Sequence, residues 1–259
     1  MVHDLVASRG LAWRLFLRDT RAQYRQTVFG YAWAFIPPLV ASLPFVFLNS
    51  QGVVSIKATD IPYPAFAIIG TMIWQVFVDA LSSPLKAVTA AKPMLARINF
   101  PREAILLSGL GQVLFGFLVR SILLVPVLIW FHITPPTTVL LFPIGIVALI
   151  LVGFVIGVSL APLGLLYTDV QQTIPILATF WMFLTPVLYP PATSGIATAL
   201  NKWNPLSPLV TTTRNWLTTG TSTDLPAFLI VTGATVILFF GAWLLYRLAL
   251  PHVIARIPN

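Results

Sequence analysis

Cysteine is absent from the chain, and its three histidines, His3, His132 and His252, lie far apart near the ends of elements. The first absence excludes disulfides and thiolate metal sites and leaves the redox compartment unreadable. The second leaves no cluster of metal-ligand spacing. Charge is scarce as well: charged residues are 8% of the 259, where a soluble domain carries about 25%. Of the seven acids (Asp4, Asp19, Asp60, Asp79, Glu103, Asp169 and Asp224), only Asp79 falls inside a long apolar run. A membrane transferase needs a carboxylate base or an acid pair around a metal, and a proton-coupled pump needs a relay of titratable groups; neither is visible. No glycine precedes a lysine, so there is no Gly-x-x-x-x-Gly-Lys phosphate loop with which to hydrolyse ATP.

What the chain has is apolar surface. It is 58% hydrophobic, with a mean hydropathy of +0.90, more than a water-soluble core could absorb. The pattern predicts an all-α integral membrane protein. Six apolar runs, 28–48, 64–85, 103–131, 138–166, 174–188 and 225–248, form a single domain over 28–248. They are preceded by an amphipathic segment, 1–27, and followed by a tail, 249–259. The N-terminal segment is broken by arginines and lacks the clean apolar stretch of a signal peptide. Prolines 37, 38 and 44 predict that the first span is bent and buried. Gly153 and Gly157 form a small-xxx-small pair, which fits either packing within one bundle or a dimer seam. The fifth run, about 15 residues, is short for a full crossing. Between Tyr189 and Asp224 the chain is rich in Pro, Thr, Ser and Asn, with Trp203 and Trp216, and reads as short helices dipping into the outer interface.

The bases are one-sided. Arg9, Arg14, Arg18, Arg21, Arg25, Lys86, Lys92, Arg97, Arg102, Arg247 and Arg256 fall on the side of both termini, against Lys57, Lys202 and Arg214 on the other. By the positive-inside rule both termini are cytoplasmic, and the +8 net charge reflects orientation rather than nucleic-acid binding. Arg14, Arg18, Arg21 and Arg25, spaced four, three and four, share one stripe of a helix, with Leu5, Ala12, Leu15 and Phe16 toward the opposite side. That describes a helix lying in the membrane interface, and equally an anchor for the first span.

Lys86–Glu103 is an inner loop with Pro93 and Pro101 each placed to open a helix. The piece Pro93–Asn99 is too short to stand alone; it either docks on a cytoplasmic partner or rests as a basic loop at lipid headgroups. Two charges fall inside spans. Asp79 is placed about two turns from the inner end of its span, and Arg120 toward the far side of the next. Each must pair, reach an interface or face water, and depth argues against pairing with each other. Aromatic residues Trp33, Phe35, Trp74, Phe77, Phe180, Trp181, Phe183 and Tyr189 are candidates to line a passage, or belong to packing and lipid-facing belts.

Several motifs carry a resemblance. Arg18-Asp-Thr-Arg-Ala-Gln-Tyr-Arg-Gln-Thr-Val-Phe-Gly-Tyr-Ala-Trp-Ala-Phe-Ile-Pro-Pro resembles the leading motif of the type-2 ABC permeases that export polysaccharides such as O-antigen, teichoic acid or galactan. Ile98-Asn-Phe-Pro-Arg-Glu, Leu166-Tyr-Thr-Asp-Val-Gln-Gln, Leu184-Thr-Pro-Val-Leu-Tyr-Pro and Asn204-Pro-Leu-Ser-Pro are similar to later motifs of the same family, in order. The resemblance implies a homodimer of six-span subunits in the bacterial inner membrane, with two copies of a separate ABC ATPase. It implies that ATP and Mg sit on that partner, so that this chain is no enzyme and carries no cofactor of its own. It places a coupling helix on Lys92, Pro93, Met94, Leu95, Arg97, Asn99 and Phe100, re-entrant gate helices over Ala192–Trp216, and a pore lined mainly by spans 1 and 5 for a lipid-linked glycan. Thr168-Asp169 stands where relatives often have Arg-Asp, and the tail lacks an acid near Ala255. The alternatives are a drug or lipid permease of the same architecture and an ion-coupled secondary transporter built around Asp79.

Overall fold

The computed structural model of the chain describes residues 2–25, 33–52, 59–92, 102–191, 195–222 and 224–254. It is 86% helix, with no strand among the described residues. In chain order the helices are α1 (Val2–Arg25), α2 (Ile36–Ser50), α3 (Tyr63–Ala90), α4 (Arg102–Trp130), α5 (Phe142–Leu166, led by a 3-10 turn at Thr137–Leu141), α6 (Thr168–Leu184), α7 (Ile196–Trp203), α8 (Leu206–Thr218) and α9 (Leu225–Ile254). Four of these, α3, α4, α5 with its leading turn, and α9, are long and apolar enough to cross a membrane, making this a multi-pass membrane protein. At 15 and 17 residues, α2 and α6 reach about 22 and 25 Å, against a hydrocarbon core about 30 Å thick.

α3 is the axis of the bundle, with α2, α4, α5, α6 and α8 all packed on it. Its small residues, among them Ala65, Ala67, Gly70, Ala80 and Ser82, let backbones come close. α5 brings glycines to the same seam. A Cβ at Gly153 would stand 2.7 Å from the Phe77 carbonyl oxygen, and one at Gly157 would meet the Leu81 carbonyl oxygen still more closely. The small-residue pair is therefore a seam inside the protomer. α4 and α9 are covered far less, with 22% and 17% of their most apolar windows buried, so most of their surface is left for lipid or a partner.

Three boundaries differ from the sequence reading for identifiable reasons. The segment Thr168–Gln172 is the first turn of α6, not a loop. Tyr167 is extended, the helix starts at once, and Asp169 complements its dipole. The far end stops at Leu184 because Thr185, preceding Pro186, is held out of the helical region. α9 runs six residues past Leu248 to Ile254, through Pro251.

α1 lies against α4. Ala12 and Leu15 are buried beside Ala104, while Arg14, Arg18 and Arg21 are exposed, which matches the expected two-sided helix. The expected coupling residues Pro93, Met94, Leu95, Arg97, Asn99 and Phe100 lie outside the described residues, as do positions 28–32 of the first run, the tail from 255, and the side chains of Leu5 and Arg25. Lys92, half-buried, closes the described part of the inner loop.

In the segment expected to form short outer helices, every residue of α8 but Asn215 is buried within the chain, including Trp216 and Arg214. Three of its hydroxyls turn back onto its own backbone, which lowers the cost of burying them, while Ser207 Oγ and Thr212 Oγ1 have no partner among the described residues. Thr211, Thr213 and Thr218 donate to the carbonyls of Ser207, Leu209 and Arg214 at 2.8, 2.6 and 3.0 Å. Trp203, on α7, is the exposed tryptophan of this segment.

Candidate functional site

The intramembrane charges meet. Arg120 Nη2 donates to Asp79 Oδ2 in an ion pair, contrary to the depth argument. Two facts account for it. α3 continues to Ala90, so Asp79 stands about three turns from the C-terminal end of its helix rather than two. The two helices also run antiparallel, since Asp79 faces Gly116 while Ser83 faces Gly109. Helical side chains lean toward their own N-terminus, so on antiparallel neighbours Asp79 and Arg120 lean toward each other. A Cβ at Gly116 would come within 3.3 Å of Arg120 Nη2, so this glycine leaves the guanidinium its space.

Gln75, one turn before Asp79, donates its amide to Oδ1 at 3.0 Å, so both carboxylate oxygens are engaged. The pair faces a cavity of about 300 Å³ whose other polar walls are Ser83, Lys86 and Gln112, closed on the α2 side by Trp33, Ala34 and Pro37. Gln112 also reaches Asp19 Oδ2 at 3.5 Å, a long hydrogen bond from cavity wall to interface helix. Arg120 is 5% exposed; its Nε, like Ser83 Oγ, has no partner among the described residues. The cavity is thus lined in part by polar side chains within the apolar bundle.

The junction of α6, α7 and α8 is held by a second polar cluster. Asn204, between α7 and α8, makes four hydrogen bonds. It accepts from Trp181 Nε1 at 3.0 Å and from the Leu206 amide at 3.1 Å, and it donates to the Leu184 carbonyl at 3.2 Å and Thr185 Oγ1 at 2.8 Å. Arg214 donates to the Val187 carbonyl at 3.1 Å, with its guanidinium 3.7 Å over the Phe66 ring. Burial pulls that guanidinium down from its usual pKa to about 9, while the Asp60 carboxylate acts in the opposite direction. Tyr63 donates to the Leu188 carbonyl at 3.0 Å. The stretch Thr185–Leu188 is therefore clamped between α3 and α8. Sequence reading did not single out Arg214 as a buried clamp residue, and the Asn-Pro-Leu-Ser-Pro motif was the one signal that pointed near Asn204.

The aromatic candidates divide. Trp74 and Phe77, 4% and 0% exposed, are part of the packing, their rings 5.0 Å apart and Phe77 edge-on to Trp181 at 5.6 Å. They offer no open surface, and the pore-lining expectation is corrected for both. Trp33, Phe180 and Phe183 are exposed, whereas Phe35, Trp181 and Tyr189 are half-buried. Phe183 meets Phe45 of α2 at 6.0 Å, which puts the surfaces of α2 and α6 side by side. No group of three or more His, Cys, Asp or Glu able to hold a metal ion occurs among the described residues.

Comparison with known proteins places this architecture. A protein named O-antigen export system permease protein RfbA from Myxococcus xanthus is 28% identical over 213 residues, covering 81% of this chain and 80% of the relative. A protein of the same name from Klebsiella pneumoniae is 26% identical over 211 residues, covering 78% of each. The model of the ABC-2 type transporter family matches residues 11–217, from the interface helix through the buried outer helix, and on that match the chain belongs to the ABC-2 type transporter family of membrane subunits.

Proposed function

We propose that this chain is the membrane-spanning permease subunit of an ATP-driven exporter that moves polysaccharide across the bacterial inner membrane. The observation that carries the reading is the family match over 11–217 together with relatives named as O-antigen export permeases across four-fifths of the chain. The subunit acts as a homodimer on two copies of an ABC ATPase, which hold ATP and Mg. The inner segment from Lys92 to Phe100 docks on that ATPase, and both termini are cytoplasmic. α2 and α6 complete six spans, and α7 and α8 form the re-entrant outer gate. The cargo is a lipid-linked glycan, whose sugar faces suit the exposed rings of Trp33, Phe180 and Phe183 and the half-buried rings of Phe35, Trp181 and Tyr189 at a dimer-axis pore. The ion-coupled alternative needed a free carboxylate, whereas both oxygens of Asp79 are engaged. The test is gentle purification of the tagged chain from its native membrane, with partners identified by mass, beside a surface-polysaccharide assay of the deletion strain. A stoichiometric ABC ATPase and lost surface glycan support the reading; an intact oligomer without an ATPase, or unchanged glycan, overturns it.

A further inference from the structure

We infer that the groove between α4, α5 and α9 is a binding site for a phospholipid with a primary-ammonium headgroup. α4 packs on α3 and α9 on α5, and a groove of about 240 Å³ runs between them. Leu106, Leu110, Val147, Phe239 and Trp243 give it an apolar wall, and Glu103 is its one charged side chain. On α9, Phe239, Trp243 and Arg247 follow at a spacing of four and share a face. Arg247 stands beside Glu103, its Nε 3.7 Å from Oε1. Both charges therefore lie at the end of the groove where α4 begins and α9 ends, and the rest is apolar.

That polarity is the polarity of a membrane lipid, with charge at one end and an acyl chain along the remainder. From Glu103 to Leu110 α4 rises about 10 Å, a length for part of one chain. Val147 on the wall is 59% exposed, so the groove opens onto the surface that faces lipid. The charges select the head. At 3.7 Å the ion pair attracts but is too long for a hydrogen bond, and the carboxylate keeps acceptor sites for a donor. A primary ammonium brings N–H donors to Glu103 while the phosphate beside it meets the Arg247 guanidinium, so the zwitterion matches the pair charge for charge. A quaternary ammonium has no N–H to donate, and an anionic head sets its net charge against Glu103. Both side chains are within reach of a head, Glu103 at 15% and Arg247 at 43% exposed. The site is separate from the cavity beside Asp79 and from the exposed aromatic surface of α2 and α6, and it stands whatever the cargo.

The test uses the full chain, purified in detergent and stripped of lipid. Dioleoyl phosphatidylethanolamine, phosphatidylcholine and phosphatidylglycerol, alike in their chains, are added at equal concentration, and retained lipid is counted by native mass spectrometry. The ethanolamine lipid is expected to be retained most tightly. Glu103→Gln is expected to weaken it by about tenfold, the loss of one charge-assisted contact, and to leave the choline lipid unchanged. Val147→Trp, at an exposed position on the wall, is expected to weaken all three by filling the space of the chain. Equal retention of the three lipids by the parent, or a preference for the glycerol lipid, overturns the inference. So does an ethanolamine preference that survives in Glu103→Gln at unchanged melting temperature. Retention untouched by Val147→Trp overturns the placement in this groove. No lipid retained at all, the outcome if a protein helix fills the groove, overturns it as well.

Discussion

Breaking the Asp79–Arg120 pair from its two sides should have unequal costs. The Arg120 side chain is 6% exposed and that of Asp79 is 29% exposed beside a polar cavity. Asp79→Asn strands a guanidinium in the apolar bundle, the situation in which removal of one partner costs about 3–5 kcal/mol. Arg120→Met strands a carboxylate that still accepts from Gln75 and can hydrate from the cavity, and the cost should be nearer 1–2 kcal/mol. The attraction itself, for two charges about 4 Å apart, lies between about 1 kcal/mol in water and about 4 kcal/mol at an effective dielectric of about 20. The double variant Asp79→Asn with Arg120→Met removes both charges and should be more stable than Asp79→Asn alone. Reversible unfolding in mixed micelles, run as a double-mutant cycle, measures all three. Equal costs for the two single variants, or additivity within about 0.5 kcal/mol, would refute the reasoning.

Three further outcomes follow from the packing. Gly157→Leu should prevent a monodisperse protein or cost at least about 3 kcal/mol, since its Cβ alone collides with the Leu81 carbonyl, whereas Gly233→Leu, with nothing nearby, should melt within about 0.5 kcal/mol of the parent. Asn204→Leu removes four hydrogen bonds and should cost about 2–4 kcal/mol, with hydrogen exchange rising over Thr185–Leu188; protection there unchanged would count against the clamp. Phe180→Ala with Phe183→Ala should lower surface polysaccharide at nearly unchanged melting temperature, whereas Trp74→Ala should cost about 3–5 kcal/mol, as a buried aromatic does. Full export by the first variant would remove those two rings from the passage.

Most of the architecture was legible because it rests on length and periodicity. The four long apolar helices, the two-sided α1 and the glycine seam all follow from patterns local to one segment. What was not legible depended on geometry between segments. The Asp79–Arg120 pair needed the lean of side chains on antiparallel helices, which sequence depth ignores. The burial of α8 was hidden because hydropathy scores a threonine as polar even when its hydroxyl is spent on its own helix. The start of α6 was hidden because polar residues in a first helical turn look like a loop. Trp74 and Phe77 carry the same letters as the exposed aromatics, and only the fold tells a packing ring from a surface one.

The burial of α8 also bears on how the protein is made. The insertion machinery releases segments into the bilayer by their own hydropathy, and a 13-residue run of Leu, Ser, Thr and Arg has too little of it to be released as a span. α8 must therefore reach its place by docking onto α3 and α5 already standing in the membrane. Its hydrogen bond from Thr211 to Asp224, at the threshold of α9, ties that docking to the helix that follows it. The packing of α8 thus follows the insertion of α3 and α5 rather than its own hydropathy.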